Sequence, residues 1–235
     1  MVMTDTIDVV ILKVFTDALG KHGNLVSIII DEEKEIHPSL RQKIPQKLGH
    51  DESVFINDIT SGNVSIFSPQ REIKFAGHAI VGTAWFLNKL RSGGINSVNC
   101  LGREIAVWQE GELTWVQASL EMMPPWHYIQ YGNAGDVEHI SPADAAKMEH
   151  TVVWAWIEDE KGTVRARTFA PDWGIPESQG NGSGSMILAS ILKRKLEIKH
   201  GKGSLVYANV ADHNEVALGG RVVEDKYINI YGKDI

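Results

Sequence analysis

Two places in this chain offer the same chemistry. Gly77-His78 and Gly182-Ser183 each stand at the head of an apolar run, 79–87 in the first case and 186–192 in the second. Read as helices, both runs begin with small residues whose backbone N–H groups have no partner within the helix. The dipole adds about half a positive charge at each such end. Ends of this kind bind anions. They also stabilise the enolate-like charge that develops when a proton leaves a carbon beside a carbonyl. The chemistry on offer is recognition of a carboxylate coupled to proton transfer, with the N–H groups of Gly77, His78, Gly182 and Ser183 as donors.

The elements that must position these residues come in two copies. Phe67-Ser68-Pro69 precedes the first helix and Phe169-Ala170-Pro171 the second, and both helices end in bases: Lys89 and Arg91, then Lys193, Arg194 and Lys195. Between 79 and 87 only Gly82 and Thr83 are not clearly apolar, so the first helix has no solvated face and belongs inside a sheet. An internal repeat constrains the whole architecture. The expectation is an α+β fold of two pseudo-symmetric halves, 1–121 and 122–235, divided near Pro124-Pro125, each half a β-barrel wrapped around its central apolar helix.

Strands are expected at 9–15, 25–30, 53–56, 64–67 and 72–75, with a hairpin at 103–118 turning at Glu110-Gly111. A helix starts at Pro38, is shortened or kinked by Pro45 and stops at Gly49. In the second half a helix begins at Ser141-Pro142, strands cover 151–157 and 164–169, and a Gly/Ser-rich loop spans 174–184. Four short strands are expected to close the chain: 204–209, 215–218, 221–224 and 227–231.

Composition narrows the function classes. The chain has 235 residues, with 30 Asp and Glu against 23 Lys and Arg and no basic block, which argues against nucleic acid as a partner. Cys100 is the single cysteine, so there is neither an intrachain disulfide nor a two-thiol catalytic pair. No signal peptide or membrane-length apolar helix is evident, and the expectation is a soluble, cytoplasmic protein with no membrane partner. A homodimer is a candidate assembly that the sequence does not fix.

At this point the chain resembles a family. Val14-Phe15-Thr16-Asp17, Gly23-Asn24, Asp51-Glu52-Ser53-Val54-Phe55, Gly77-His78-Ala79 and Gly82 look like the PhzF-like isomerases. Phe169-Ala170-Pro171, Gly174-Ile175-Pro176-Glu177 and Asn181-Gly182-Ser183 continue the likeness. The resemblance implies the diaminopimelate-epimerase-like fold, with the active site between its halves, and a cofactor-independent isomerase acting on a small carboxylate-bearing substrate. By matched position Glu52 is the proton-shuttling acid/base, His78 a donor or relay, and Ser183 a serine near the substrate. Gly77, Gly182, Asn181 and Ser178 complete the expected binding residues; no metal is implied.

One position departs from the family. An Asp usually follows the residue matched by Glu177, and here Ser178 stands in its place. A hydroxyl does not replace a carboxylate as acid or base, and this favours a second reading, a catalytically silent homologue that binds a small anion. A dinucleotide-binding role for Gly180–Gly184 is disfavoured, because the loop follows Pro176-Glu177 rather than a hydrophobic strand.

Overall fold

Close packing of helix α3 (Gly77–Leu90) on its neighbours explains the glycine in the middle of its apolar run. A methyl group added at Gly82 would lie 3.0 Å from Val14 Cγ2 and 3.1 Å from Val26 Cγ1, so the helix rests directly on two strands at this point. Glycine within a helix costs about 1 kcal/mol relative to alanine. Here that loss permits close packing of a helix in which ten residues are buried. The computed structural model describes residues 6–212, 214–232 and 235.

Around this helix the first half of the chain runs β1 (Ile7–Thr16), β2 (Asn24–Ile30), α1 (Pro38–Arg41), α2 (Ile44–Leu48), β3 (Ser53–Asp58), β4 (Asn63–Phe67), β5 (Glu72–Ile73), α3, β6 (Ser97–Cys100), β7 (Arg103–Glu110) and β8 (Leu113–Ser119). The second half runs β9 (His127–Gln130), α4 (Ala134–Glu138), α5 (Pro142–Ala145), β10 (Thr151–Glu158), β11 (Thr163–Ala170), β12 (Ile175–Ser178), α6 (Gly182–Leu192), β13 (Leu196–His200), β14 (Ser204–Asp212) and β15 (Glu215–Ile230).

The pairings repeat. In the first half β2 and β3 are parallel, β3 and β4 antiparallel, β4 and β6 parallel across α3, and β5 folds back on β4. In the second, β9 and β10 are parallel, β10 and β11 antiparallel, β11 and β13 parallel across α6, and β12 folds back on β11. Even the short helix pairs correspond, with α1 and α2 between β2 and β3 and α4 and α5 between β9 and β10. The duplicated Phe-x-Pro signals mark the same place in each copy, the end of β4 or β11 just before the fold-back strand.

Two compact units result, and neither is continuous in sequence. Within the described residues, one comprises 6–14, 25–116 and 222 onward, the other 15–24 and 117–221. The chain therefore crosses at 116/117, where the sequence suggested 121/122, and the segments 15–24 and 222–232 are exchanged. Phe15 shows why the first exchange occurs. It is fully buried with φ of 69°, and a Cβ at Gly180 would lie 2.9 Å from its ring. In the first unit Ile7, Val9, Ile11, Ile29, Ile36, Ile44, Phe55 and Phe67 form a core between the sheet and the short helices. Val137, Ala145, Val153, Ala155 and Phe169 form the corresponding core of the second.

Several expectations need correction. The helix expected from Pro38 is broken at 42–43 into α1 and α2, with Pro45 in the first turn of α2 and Gly49 closing it at φ 69°. The three closing strands 215–218, 221–224 and 227–231 are one strand, β15. Gly219-Gly220 reads as a turn but is not one: neither residue has positive φ, and a Cβ at Gly220 would collide with the Phe15 ring. The glycine there serves close approach. The loop expected over 174–184 contains β12. Among the described residues no helix is long and apolar enough to cross a membrane.

Candidate active site

Glu52 is placed by a short, well-fastened turn. Helix α2 ends at Gly49 in the left-handed region, and the His50 N–H donates to the Pro45 carbonyl at 3.0 Å. Asp51 and Glu52 then lead into β3 at Ser53, which pairs with Ser27 on β2. The Glu52 side chain keeps 12 % of its exposure and that of His78 only 6 %.

These two residues meet. His78 Nε2 lies 3.0 Å from Glu52 Oε2, yet both atoms are buried without an aligned hydrogen bond. Charge therefore couples the pair more than hydrogen-bond geometry does. Burial works against a charged His78 ring, but the Glu52 charge, the short contact of its oxygen with the ring nitrogen and then the Asp51 charge outweigh it and raise the imidazole above its ordinary value. His78 is the second residue of α3, and no side chain caps that helix: Ala76 occupies the cap position. Gly77 and His78 are both buried. The arrangement is a glutamate and a histidine in contact, with the charged form of the ring favoured, at a helix end that has no side-chain cap.

The start of α6 is built otherwise. Asn181 is its cap, its Oδ1 accepting from Gly184 N at 2.9 Å and from Ser183 Oγ at 3.2 Å. Its Nδ2 donates to Thr168 Oγ1 at 3.3 Å, and Thr168 Oγ1 lies 2.9 Å from His200 Nε2. Trp126 Nε1 donates to Ser183 Oγ at 2.9 Å, and Tyr128 OH donates to the Gly184 carbonyl at 2.9 Å. The Ser183 hydroxyl thus both accepts and donates within the protein. Gly182 is buried beside it.

Ser178, at the end of β12, is buried and accepts from Gly180 N at 3.4 Å. Its acidic neighbour does not supply the missing carboxylate. Arg167 Nε and Nη2 donate to the two oxygens of Glu177 at 2.8 and 2.9 Å. Burial alone would raise the Glu177 carboxyl, but this fork outweighs it and holds the group below the usual carboxylate range. Cys100 is no candidate base either: burial first, and the nearby Glu72 charge, push its thiol up to about 12.

Sequence reasoning singled out all seven of these positions but missed three features. His50 Nδ1 lies 2.6 Å from Ser27 Oγ, both buried. Trp126 bonds Ser183 across 57 positions, a partnership that no local spacing announces. Trp126 also packs on Trp173 at 4.8 Å, and His150 stacks on Trp173 at 4.8 Å while its Nδ1 bonds Asp172 at 2.8 Å. A cluster of Trp126, His150 and Trp173 was readable only as scattered aromatics.

The fold and site define a protein of the diaminopimelate-epimerase-like fold, and comparison with solved structures shows the same. The PhzF-family phenazine biosynthesis protein of Enterococcus faecalis superposes with a TM-score of 0.77 at 18 % identity, covering 96 % of this chain and 99 % of its own. A predicted epimerase from Pseudomonas aeruginosa gives 0.69 at 20 % identity, over 95 % and 98 %. A hydroxyproline epimerase from Agrobacterium vitis, solved with bound trans-4-hydroxy-L-proline, gives 0.60 at 12 % identity, over 98 % and 94 %. Residues 12–101 match the family described as phenazine biosynthesis-like proteins. That segment contains Glu52, Gly77 and His78. The resemblance to the PhzF-like family therefore has support in both sequence and fold.

Proposed function

We propose that this protein is a cofactor-independent isomerase or epimerase that moves a proton on a small carboxylate-bearing substrate, with Glu52 as the acid/base. The buried contact between Glu52 and His78 carries this reading. Two ionisable groups held out of water without an aligned hydrogen bond are costly to a fold. That cost is accounted for if a substrate completes the arrangement. Glu52 takes the proton from the carbon beside the carboxylate or carbonyl. Protonated His78 and the N–H groups at the start of α3 stabilise the charge left behind, and Glu52 returns the proton to the same or a neighbouring carbon. In this reading the Ser183 hydroxyl, engaged by Trp126 and Asn181, takes no part in the proton transfer.

Solvent-deuterium incorporation into a panel of small α-substituted carboxylates, trans-4-hydroxy-L-proline included, tests the proposal. Glu52→Gln should lower exchange by about 10²–10⁴ while leaving affinity within a few-fold. Exchange that is unchanged in this variant rejects Glu52 as the base. Ser178, with Glu177 locked to Arg167, favours a second reading, a protein that binds such anions without turnover. Saturable binding with no deuterium incorporation in the wild type would select it.

A further inference from the structure

We infer that His50 is a positioning residue for Glu52: its bond to Ser27 fastens the turn that carries the carboxylate and so holds Glu52 beside His78. The catalytic consequence rests on the reading of Glu52 given above; the positional claim does not. The geometry closes on itself. Ser27 is the β2 residue that pairs with Ser53, the residue directly after Glu52. The His50 side chain returns to that same Ser27 through the 2.6 Å contact between Nδ1 and Oγ. The turn is thus tied at its start by Gly49 and the His50 N–H, at its end by the β2–β3 pairing, and across its middle by the imidazole.

A histidine suits this place because a flat ring bridges the gap with one shared proton and no net charge. Burial, then the nearby Lys226 and His78, lower the His50 ring to about 4 against the opposing pull of Asp225. At neutral pH it therefore stays uncharged and leaves Glu52 to His78 alone. A charged ring at this point would repel a charged His78, the same repulsion that helps lower His50.

The experiment reads the ¹⁵N signals of the histidine rings in the ligand-free protein against pH, in the wild type and in Ser27→Ala, His50→Leu and His50→Asn. The His78 titration in the wild type should lie above the ordinary histidine value. In His50→Leu and Ser27→Ala it should fall to or below that value, because Glu52 is released from the ring. In His50→Asn, whose amide can reach Ser27 as Nδ1 does, it should be retained. Exchange should fall by up to about 10²-fold in His50→Leu, the scale of a 1 Å misplacement, and recover in His50→Asn. If His50→Leu does not fold, judged by thermal unfolding, Ser27→Ala carries the same test. A His78 titration unmoved in every folded variant overturns the inference, as does a wild-type His50 that titrates at its ordinary value. Glu52→Gln separates the two claims: unchanged exchange there defeats the acid/base assignment and leaves the His78 shifts to decide positioning.

Discussion

The starts of α3 and α6 occupy equivalent places in two units of like topology, and their polar groups are treated in opposite ways. At α3 the cap is an alanine, and two ionisable groups face each other, buried and unaligned. At α6 an asparagine caps the helix, and Asn181, Ser183, Thr168 and His200 form a connected chain of hydrogen bonds reinforced by Trp126 and Tyr128. A connected network of this kind fixes geometry, although His200 Nδ1 within it is buried without a hydrogen-bond partner. An unsatisfied buried pair costs stability, and is retained where something else uses it. This contrast is what favours α3 over α6 for the proposed chemistry.

The sharpest way to break the comparison is to exchange the properties measured. Glu52→Gln should raise the exchange barrier by about 2.7–5.4 kcal/mol, the equivalent of 10²–10⁴ in rate, and should remove the stability that the raised His78 contributes. Ser183→Ala and Asn181→Ala should lower stability and leave exchange in place. A Ser183→Ala variant as inactive as Glu52→Gln would return the serine hydroxyl to the chemistry.

Next in size is the response to pH, where the two starts should differ in sign. His200 is buried, and burial first, then Arg165, lower its ring to about 4. The unfolded chain therefore binds the extra proton between pH 6.5 and 4, and stability falls as pH falls through that window. The full effect is on the order of 3 kcal/mol. His78 is raised instead, so its contribution is complete below 6.5 and is lost as pH rises through its folded value. Urea unfolding of His200→Gln and His78→Gln at several pH values checks both: the first should lessen the acid-side slope, to which His50 also contributes, and the second the alkaline side. Equal curves for wild type and His200→Gln from pH 7 to pH 4 would show that His200 does not titrate as described.

Smaller effects should follow on the α6 network. Asn181→Ala removes the cap and the link to Thr168, and should cost about 1–2 kcal/mol of stability. Ser183→Ala removes one donor and one acceptor and should cost about 1 kcal/mol. Chemical denaturation measures both, and losses in the opposite order would mean that Trp126, not the cap, holds this end.

Much of this was legible in the chain because local patterns carry it. Buried apolar runs found α3 and α6, the Phe-x-Pro pair found the ends of β4 and β11, and Gly49 and Gly111 marked an actual helix stop and an actual hairpin turn. Gly219-Gly220 misled for a physical reason. The same residue type serves turns and close approaches, and only the Phe15 ring, some two hundred positions earlier, tells which applies. The seven candidate positions were named by motif, but the roles proposed for them were not separable from motif alone. Glu52 and His78 lie far apart in sequence, and Ser183 looks as available as His78 until Trp126 and Asn181 are seen to engage it.

By itself, then, the sequence determined the duplication, the buried helices with small residues at their heads, and the want of a second thiol or a second acid at Ser178. These follow from residue type and spacing, which local physics reads directly. Tertiary structure alone decided that segments 15–24 and 222–232 are exchanged between units, that Glu52 rests against His78, and that His50 returns to Ser27. Each of those facts is a contact between residues remote in sequence, set by packing and electrostatics that arise only when the chain is closed on itself.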